Sequence, residues 1–420
     1  MRFNKLKQLH TQAAIILLNT VLLLLAVNAV CHVAIQYRHR SDPDPNPLRR
    51  YGEVRLLQGY PGRPEADVLA MLHETWDEAD VSREYEALTE FKEAPFRGRY
   101  VNVDPAGFRA CIPQGPWPPD PANFNVFVLG GSTAFGWGVS DGETIPSRIQ
   151  ELLPKTSTRR VVVYNFGRGA YFSTQELMLY YSLLAQGWVP HVAVFIDGLN
   201  DFASPIGELG CTAYLKSLVR EYGWVDGGGS LRSFLIHTPM GRAAGWLRRR
   251  LEGRRPEPFS ERYNEDELVR LCSRWLTNKK LIEKLSEMFG VRTLFVWQPV
   301  PTYRYDYQHY HLLRDLGVEP LKWGAATRFG YPLMARHRAE LEQQKNFLWL
   351  ADMQQDRREN LYVDEYHYTA AFNKDIAARI CGFLGEKGYL AHANRRSPSV
   401  SAIPTLGGPK TPAPADSARR

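Results

Sequence analysis

Hydrophobic positions along this chain fall into three patterns. Residues 13–35 are apolar almost without a break, interrupted by Asn19, Thr20, Asn28 and His32, and about 20 such residues suffice for a helix to cross a bilayer. Val68, Leu69, Leu72 and Trp76 recur at helical spacing within the acidic segment 65–92, which predicts a helix there. From residue 125 onward, short apolar runs at 126–129, 161–164, 192–196, 293–297 and 347–350 alternate with helical stretches. Runs that short, bounded by Gly, Asn or Pro, predict strands buried on both faces. The fold class expected is therefore α/β: a three-layer sandwich around a five-stranded parallel, flavodoxin-like sheet, behind an N-terminal transmembrane helix. Such sheets carry their chemistry in the loops after the carboxyl ends of the strands.

The organisation expected is a basic head (1–12), a signal anchor (13–35), a Pro-rich linker (36–60), a helical N-terminal extension (61–122), the main domain (123–392) and a disordered tail (393–420). SDPDPNP at 41–47 suits an extended tether, and the Pro-rich stretch 113–121 divides the extension from the domain. An insertion at 202–290 interrupts the domain. It carries Gly227 to Gly229 and arginines at 242, 248, 249, 250, 254 and 255, which suit a solvated helix face or a contact with an anionic polymer. The tail is rich in Pro, Ser, Ala and Gly and lacks the apolar content to fold.

Composition narrows the classes further. Across 420 residues, 44% hydrophobic and 23% charged describe an ordinary globular protein rather than a multi-span membrane protein. The net charge of +7 is spread along the chain, so no nucleic-acid partner is expected. Arg2, Lys5 and Lys7 precede the apolar segment, and Arg38, Arg40, Arg49 and Arg50 follow it, so positive charge leaves the orientation undecided. A short basic head before a first hydrophobic segment usually stays cytoplasmic, which would place the body outside the cytoplasm, periplasmic or at the cell surface. A cleaved signal peptide, with Val27-Asn28-Ala29 as the cleavage region, exports the body as well. Cys31, Cys111, Cys211, Cys272 and Cys381 show no zinc spacing; the last four suit either one or two disulfides or free thiols.

The loops after the predicted strands carry the candidate chemistry. Gly130-Gly131-Ser132-Thr133 follows the first and can project a serine hydroxyl from a sharp turn. Asn165-Phe166-Gly167-Arg168-Gly169-Ala170 follows the second and can aim a backbone N–H inward, and Asp197-Gly198-Leu199-Asn200-Asp201 ends the third with a carboxamide donor. Neutral donors of this kind stabilise the negative charge that develops on a carbonyl oxygen during acyl transfer. Asp364-Glu365-Tyr366-His367 follows the fifth strand, ahead of a helix over 370–384. Its carboxylate can bind imidazole Nδ1 and leave Nε2 as the base that a serine nucleophile requires.

In these four blocks the chain resembles the SGNH hydrolases, also called GDSL-like esterases, most specifically in Gly198-Leu199-Asn200-Asp201 and Asp364-Glu365-Tyr366-His367. The resemblance spans roughly 125–384. It implies Ser132 as nucleophile, His367 as general base and Asp364 as its orienting carboxylate. The oxyanion hole would comprise Asn200 with the N–H groups of Ser132 and the Gly169–Ala170 turn. Gly131 stands where the commonest form of the family has Asp, and this GGST form resembles membrane-anchored members concerned with surface polysaccharides. Ala170 stands where the family has glycine, which a backbone donor tolerates if its dihedral angles are ordinary.

Substrate contacts are expected from Arg168, Tyr303 and Tyr305. The aromatic stretch 303–311 suits a sugar-stacking wall or packing on its own domain. His309, His311 and Asp306 lack the ligand set of a metal site, so neither metal nor other cofactor is expected. The activity implied is removal of an acyl group, foremost acetyl, from a cell-envelope or exported polysaccharide. The same acyl-enzyme would serve a polysaccharide O-acyltransferase, and a non-catalytic carbohydrate-binding scaffold is the reading from another class.

Overall fold

The computed structural model describes residues 2–39, 46–79, 83–153, 159–202, 238–241, 244, 265–316 and 326–390. Helix α1 (Arg2–His39) contains the segment His10–Ala34, long and apolar enough to span a membrane and none of it buried against the body. At 1.5 Å per residue the whole helix is about 57 Å long, well beyond a hydrocarbon core of about 30 Å.

The main domain is built on five parallel strands: β5 (Phe124–Gly130), β6 (Val161–Gly167), β7 (Val192–Asp197), β8 (Arg292–Trp297) and β9 (Phe347–Trp349). Their spatial order is β6-β5-β7-β8-β9, the doubly wound arrangement with a switch point beside its first strand. All five apolar runs are strands. Every residue of β5, β6 and β7 is buried, because helices cover both faces. Helix α7 (Ser173–Ala185) packs with α8 (Glu265–Phe289), and α6 (Ile145–Leu152) packs with α9 (Ala370–Glu386). Helix α8 falls inside the segment expected as an insertion, yet Leu268, Leu271, Trp275 and Ile282 bury it in the domain. The Gly cluster at 227–229 and the six arginines of that segment lie outside the described residues, as do the tail and Cys211. Cys31, Cys111, Cys272 and Cys381 are free thiols.

The segment before the sheet differs from the expectation in two places. The linker read over 36–60 is docked chain from Asn46 onward: α2 (Pro47–Tyr51) and α3 (Glu53–Leu57) bury Leu48, Tyr51 and Leu56. Two helices of five residues each are too short to show a period. The helix read over 65–92 is α4 (Glu65–His73), extended by a wide turn (Glu74–Ala79), and then gives way to an antiparallel hairpin of β1 (Arg83–Glu86) and β2 (Glu90–Glu93). A second short pair, β3 (Phe96–Arg97) and β4 (Asn102–Val103), follows. Glu74 ties these pieces together by accepting the N–H groups of Arg99, Tyr100 and Val101 at 2.7–3.0 Å.

Candidate active site

Four loops converge at the carboxyl end of the sheet. After β5 the chain turns at Gly131 into α5 (Ser132–Phe135), which begins on the serine itself. That helix lies across the end of β6: a Cβ on Gly167 would sit 2.3 Å from the Phe135 nitrogen, so only glycine permits the approach. As the first helical residue, Ser132 has an N–H with no intrahelical acceptor.

The loop after β9 is pinched by a bridge between Tyr362 and Tyr368 and by the Val363 N–H donating to the His367 carbonyl at 2.8 Å. Within it, Asp364 Oδ1 accepts the N–H groups of Tyr366 (3.0 Å) and His367 (2.9 Å). His367 Nδ1 lies 2.6 Å from Asp364 Oδ2, and His367 Nε2 lies 2.8 Å from Ser132 Oγ. Ser132, His367 and Asp364 thus form one hydrogen-bonded chain. Burial by itself would raise the Asp364 pKa, but the imidazole and the two N–H groups outweigh it and hold the carboxyl below its usual range. Ser132 and His367 keep 7% and 8% of their surface exposed, enough for a ligand to reach their edges but too little for bulk water to surround them.

The Asn200 carboxamide lies beside Gly131, the residue before the serine. Its Nδ2 donates to the Tyr171 carbonyl at 2.7 Å, which orients the amide and leaves its second N–H for another acceptor. A Cβ on Gly131 would come within 2.2 Å of this nitrogen. The missing side chain before the serine is therefore what lets the carboxamide approach.

The turn after β6 departs from the expectation. The Gly169 N–H donates to Glu93 Oε1 at 2.6 Å, so that donor is engaged by a carboxylate and does not line the hole. Ala170, the neighbouring candidate, adopts a left-handed backbone with φ of 60°, the region that favours glycine, so the condition of ordinary dihedral angles is not met and the turn must hold the residue there.

Arg168 is fully buried, paired with Glu86 and donating to the Tyr171 hydroxyl at 2.9 Å, so it has no surface for a substrate. Tyr303 packs against Tyr331 and Trp349, and Tyr305 donates to the Glu359 carbonyl at 2.9 Å while its ring lies on Tyr310 and Tyr362. Both tyrosines are buried core residues, not a sugar platform: large rings are more stable packed against other rings inside the domain than presented to water. In the same stretch, Asp306 caps a short turn by accepting the Gln308 N–H at 3.0 Å.

Sequence reasoning passed over several residues that touch the site. The Trp76 and Trp137 rings meet at 5.1 Å edge to face, and each packs on the His367 imidazole, at 5.7 Å and 5.4 Å. Trp137 also reaches the Gly169 turn, where a Cβ would lie 2.9 Å from its ring. Glu365 is held by Arg50 and Tyr51 of α2, and burial pushes its carboxyl up to about 7 against the Arg50 charge. Trp76 was visible as part of a helical stripe, but nothing local in the chain connects it with His367.

No family model matches the chain, and no curated protein matches it. Its fold is similar to several solved structures. The lipase Lip_vut3 from a goat rumen metagenome is 14% identical, aligned over 62% of this chain and 98% of that one with a TM-score of 0.35. The lipase/acylhydrolase from Enterococcus faecalis is 12% identical over 63% and 95%, with a TM-score of 0.30. The acetyl xylan esterase AlAXEase is 12% identical over 61% and 98%, with a TM-score of 0.32.

Proposed function

We propose that this protein is a membrane-anchored serine esterase of the SGNH type that removes a small acyl group, foremost acetyl, from a cell-envelope or exported polysaccharide. The observation that carries the reading is the unbroken chain from Ser132 Oγ through His367 to Asp364 at the carboxyl end of the sheet, with the Asn200 amide beside the turn that presents the serine.

In this reading Ser132 Oγ attacks the ester carbonyl and its proton passes to His367 Nε2. Asp364 holds the imidazole by Nδ1 and stabilises the imidazolium. The carbonyl oxygen, now negative, is met by the N–H groups of Ser132 and Ala170 and by the Asn200 amide. Collapse breaks the bond to the alcohol, whose oxygen takes the proton from Nε2. Water then gives a proton to the same nitrogen and attacks the acyl-enzyme carbon; collapse breaks the bond to Ser132 Oγ, which takes that proton back from Nε2, and the carboxylic acid leaves.

A small acyl group is supported by the Trp137 indole, a bulky ring in contact with both the imidazole and the Gly169 turn. The polymer is an envelope component because α1 anchors a body taken to be extracytoplasmic. Only residues 40–45 separate the end of that helix from the docked chain at Asn46, a reach of at most about 25 Å.

The test is full-length protein in detergent micelles, treated with a serine-directed fluorophosphonate and mapped by mass spectrometry. The adduct belongs on Ser132, and aryl acetate hydrolysis should vanish in Ser132→Ala with folding preserved. Labelling elsewhere, or nowhere, removes the esterase reading; transfer of the acyl group to an added glycan in preference to water would make the protein an acyltransferase using the same site.

A further inference from the structure

The hairpin β1–β2 grips the loop that carries Ala170. The Tyr171 hydroxyl donates to the Phe91 carbonyl, Arg168 pairs with Glu86, and Gln175 Nε2 donates to the Thr89 carbonyl at 3.0 Å. At the end of the hairpin, Glu93 is 3% exposed and its Oε1 accepts the Gly169 N–H at 2.6 Å. A carboxylate that deep would ordinarily be avoided. Burial raises its pKa, opposed first by the Gly169 N–H and then by the Arg168 charge. Its bond falls on the N–H of Gly169, the residue before Ala170; Ala170 has a Cβ yet is held at φ 60°, and a non-glycine residue keeps such a conformation only when its surroundings over-determine it. Backbone bonds also act on the turn: the Arg168 N–H donates to the Gly130 carbonyl of β5 at 2.9 Å and the Tyr171 N–H to the Arg168 carbonyl at 3.3 Å, while the Tyr171 carbonyl accepts the Asn200 amide at 2.7 Å. The other hairpin contacts on this loop are made to the side chains of Arg168 and Tyr171, whereas Glu93 holds the backbone of the turn itself.

We propose that Glu93 is a positioning residue for the oxyanion hole: by accepting the Gly169 N–H it fixes the turn whose next residue, Ala170, supplies a backbone donor to the developing oxyanion. The N-terminal extension is then a working part of the active site and not only a spacer above the membrane. The inference rests on the serine-esterase reading.

The experiment uses full-length protein in micelles and three variants. Glu93→Leu keeps the apolar packing and removes the acceptor; kcat for an aryl acetate should fall about 100-fold, as for loss of one oxyanion donor, with KM within about twofold. Glu93→Gln keeps an acceptor oxygen and should retain kcat within about threefold. Ala170→Gly, which adopts the left-handed turn without penalty, should restore at least about tenfold when added to Glu93→Leu. Wild-type kcat in Glu93→Leu, a loss carried by KM, or equal losses in the Leu and Gln variants would overturn the proposal. Should Glu93→Leu fail to fold, Glu93→Asp withdraws the acceptor by one methylene; a tenfold fall in kcat is expected, and unchanged kcat overturns the assignment. Wild-type protein that neither labels on Ser132 nor hydrolyses the ester sinks the esterase reading itself, whereas an active wild type indifferent to Glu93 sinks only this inference.

Discussion

In Gly131→Ala the new methyl would lie 2.2 Å from Asn200 Nδ2 and 3.1 Å from the Tyr171 carbonyl oxygen. The backbone raises no objection, since Gly131 sits at φ −80° and ψ −158°, open to any residue. The strain falls on the end of a side chain. To regain a contact of 3.4 Å, the carboxamide must retreat by roughly 1.2 Å, the difference between 3.4 and 2.2 Å, and a misplacement of about 1 Å is of a size that costs about 100-fold in rate. Its 2.7 Å bond to Tyr171 is broken in the same movement. Loss of one oxyanion donor amounts to about 2.7–4 kcal/mol, a fall of 100- to 1,000-fold in kcat, whereas the stability loss from a disturbed buried hydrogen bond is about 1–3 kcal/mol. Initial rates on an aryl acetate, with a thermal melt of the same sample, separate the two. Asn200→Ala should show a similar deficit, and the double variant should be no worse than either single one, because both changes remove the same donor. Wild-type kcat in Gly131→Ala, or a double variant whose losses add, would refute this account of the glycine.

Trp76→Phe should lower kcat by a few-fold and Trp76→Ala by about tenfold or more, since the indole holds one side of the His367 ring. Steady-state kinetics at unchanged KM check this, and full activity in the alanine variant would exclude Trp76 as a brace. Asp197 is buried beside Glu176 and Asp201, and burial, then the Asp201 charge, raises its carboxyl to about 7. An acid whose folded pKa exceeds its unfolded value takes up a proton on folding, so its contribution to stability falls as pH rises from about 4 to about 7 and is level above that. Asp197→Asn should therefore flatten the decline in Tm across this window, and an unchanged slope in differential scanning calorimetry would contradict it. Cys111 is fully buried, which pushes its thiol up to about 12; alkylation of Cys111 by iodoacetamide should be negligible in native protein and fast in urea, and peptide mass spectrometry showing rapid native modification would count against the packing described.

Much of this architecture could be read along the chain because it depends on local pattern. A strand covered on both faces must be apolar at successive positions, so five short runs announced the sheet, and the loops after them narrowed the search for reactive groups. The Asp364–His367 pair is likewise local: a carboxylate and an imidazole three residues apart in a pinched loop can meet wherever that loop lies. What the pattern could not carry was anything that depends on one segment docking on another. Arg168, Tyr303 and Tyr305 have the chemistry of ligand-binding residues, but their neighbours bury them, and burial is a property of the assembled domain. Residues 46–60 look like a tether because their few apolar side chains are spread over two helices of five residues each, too short for a period to show. The Trp76 indole on His367 and the Glu93 carboxylate on Gly169 come from the N-terminal extension, and no spacing rule links them to the loops they support. Contacts between distant parts of a chain are chosen by how surfaces pack after the elements exist, and that choice is written in shape and burial rather than in the order of residues.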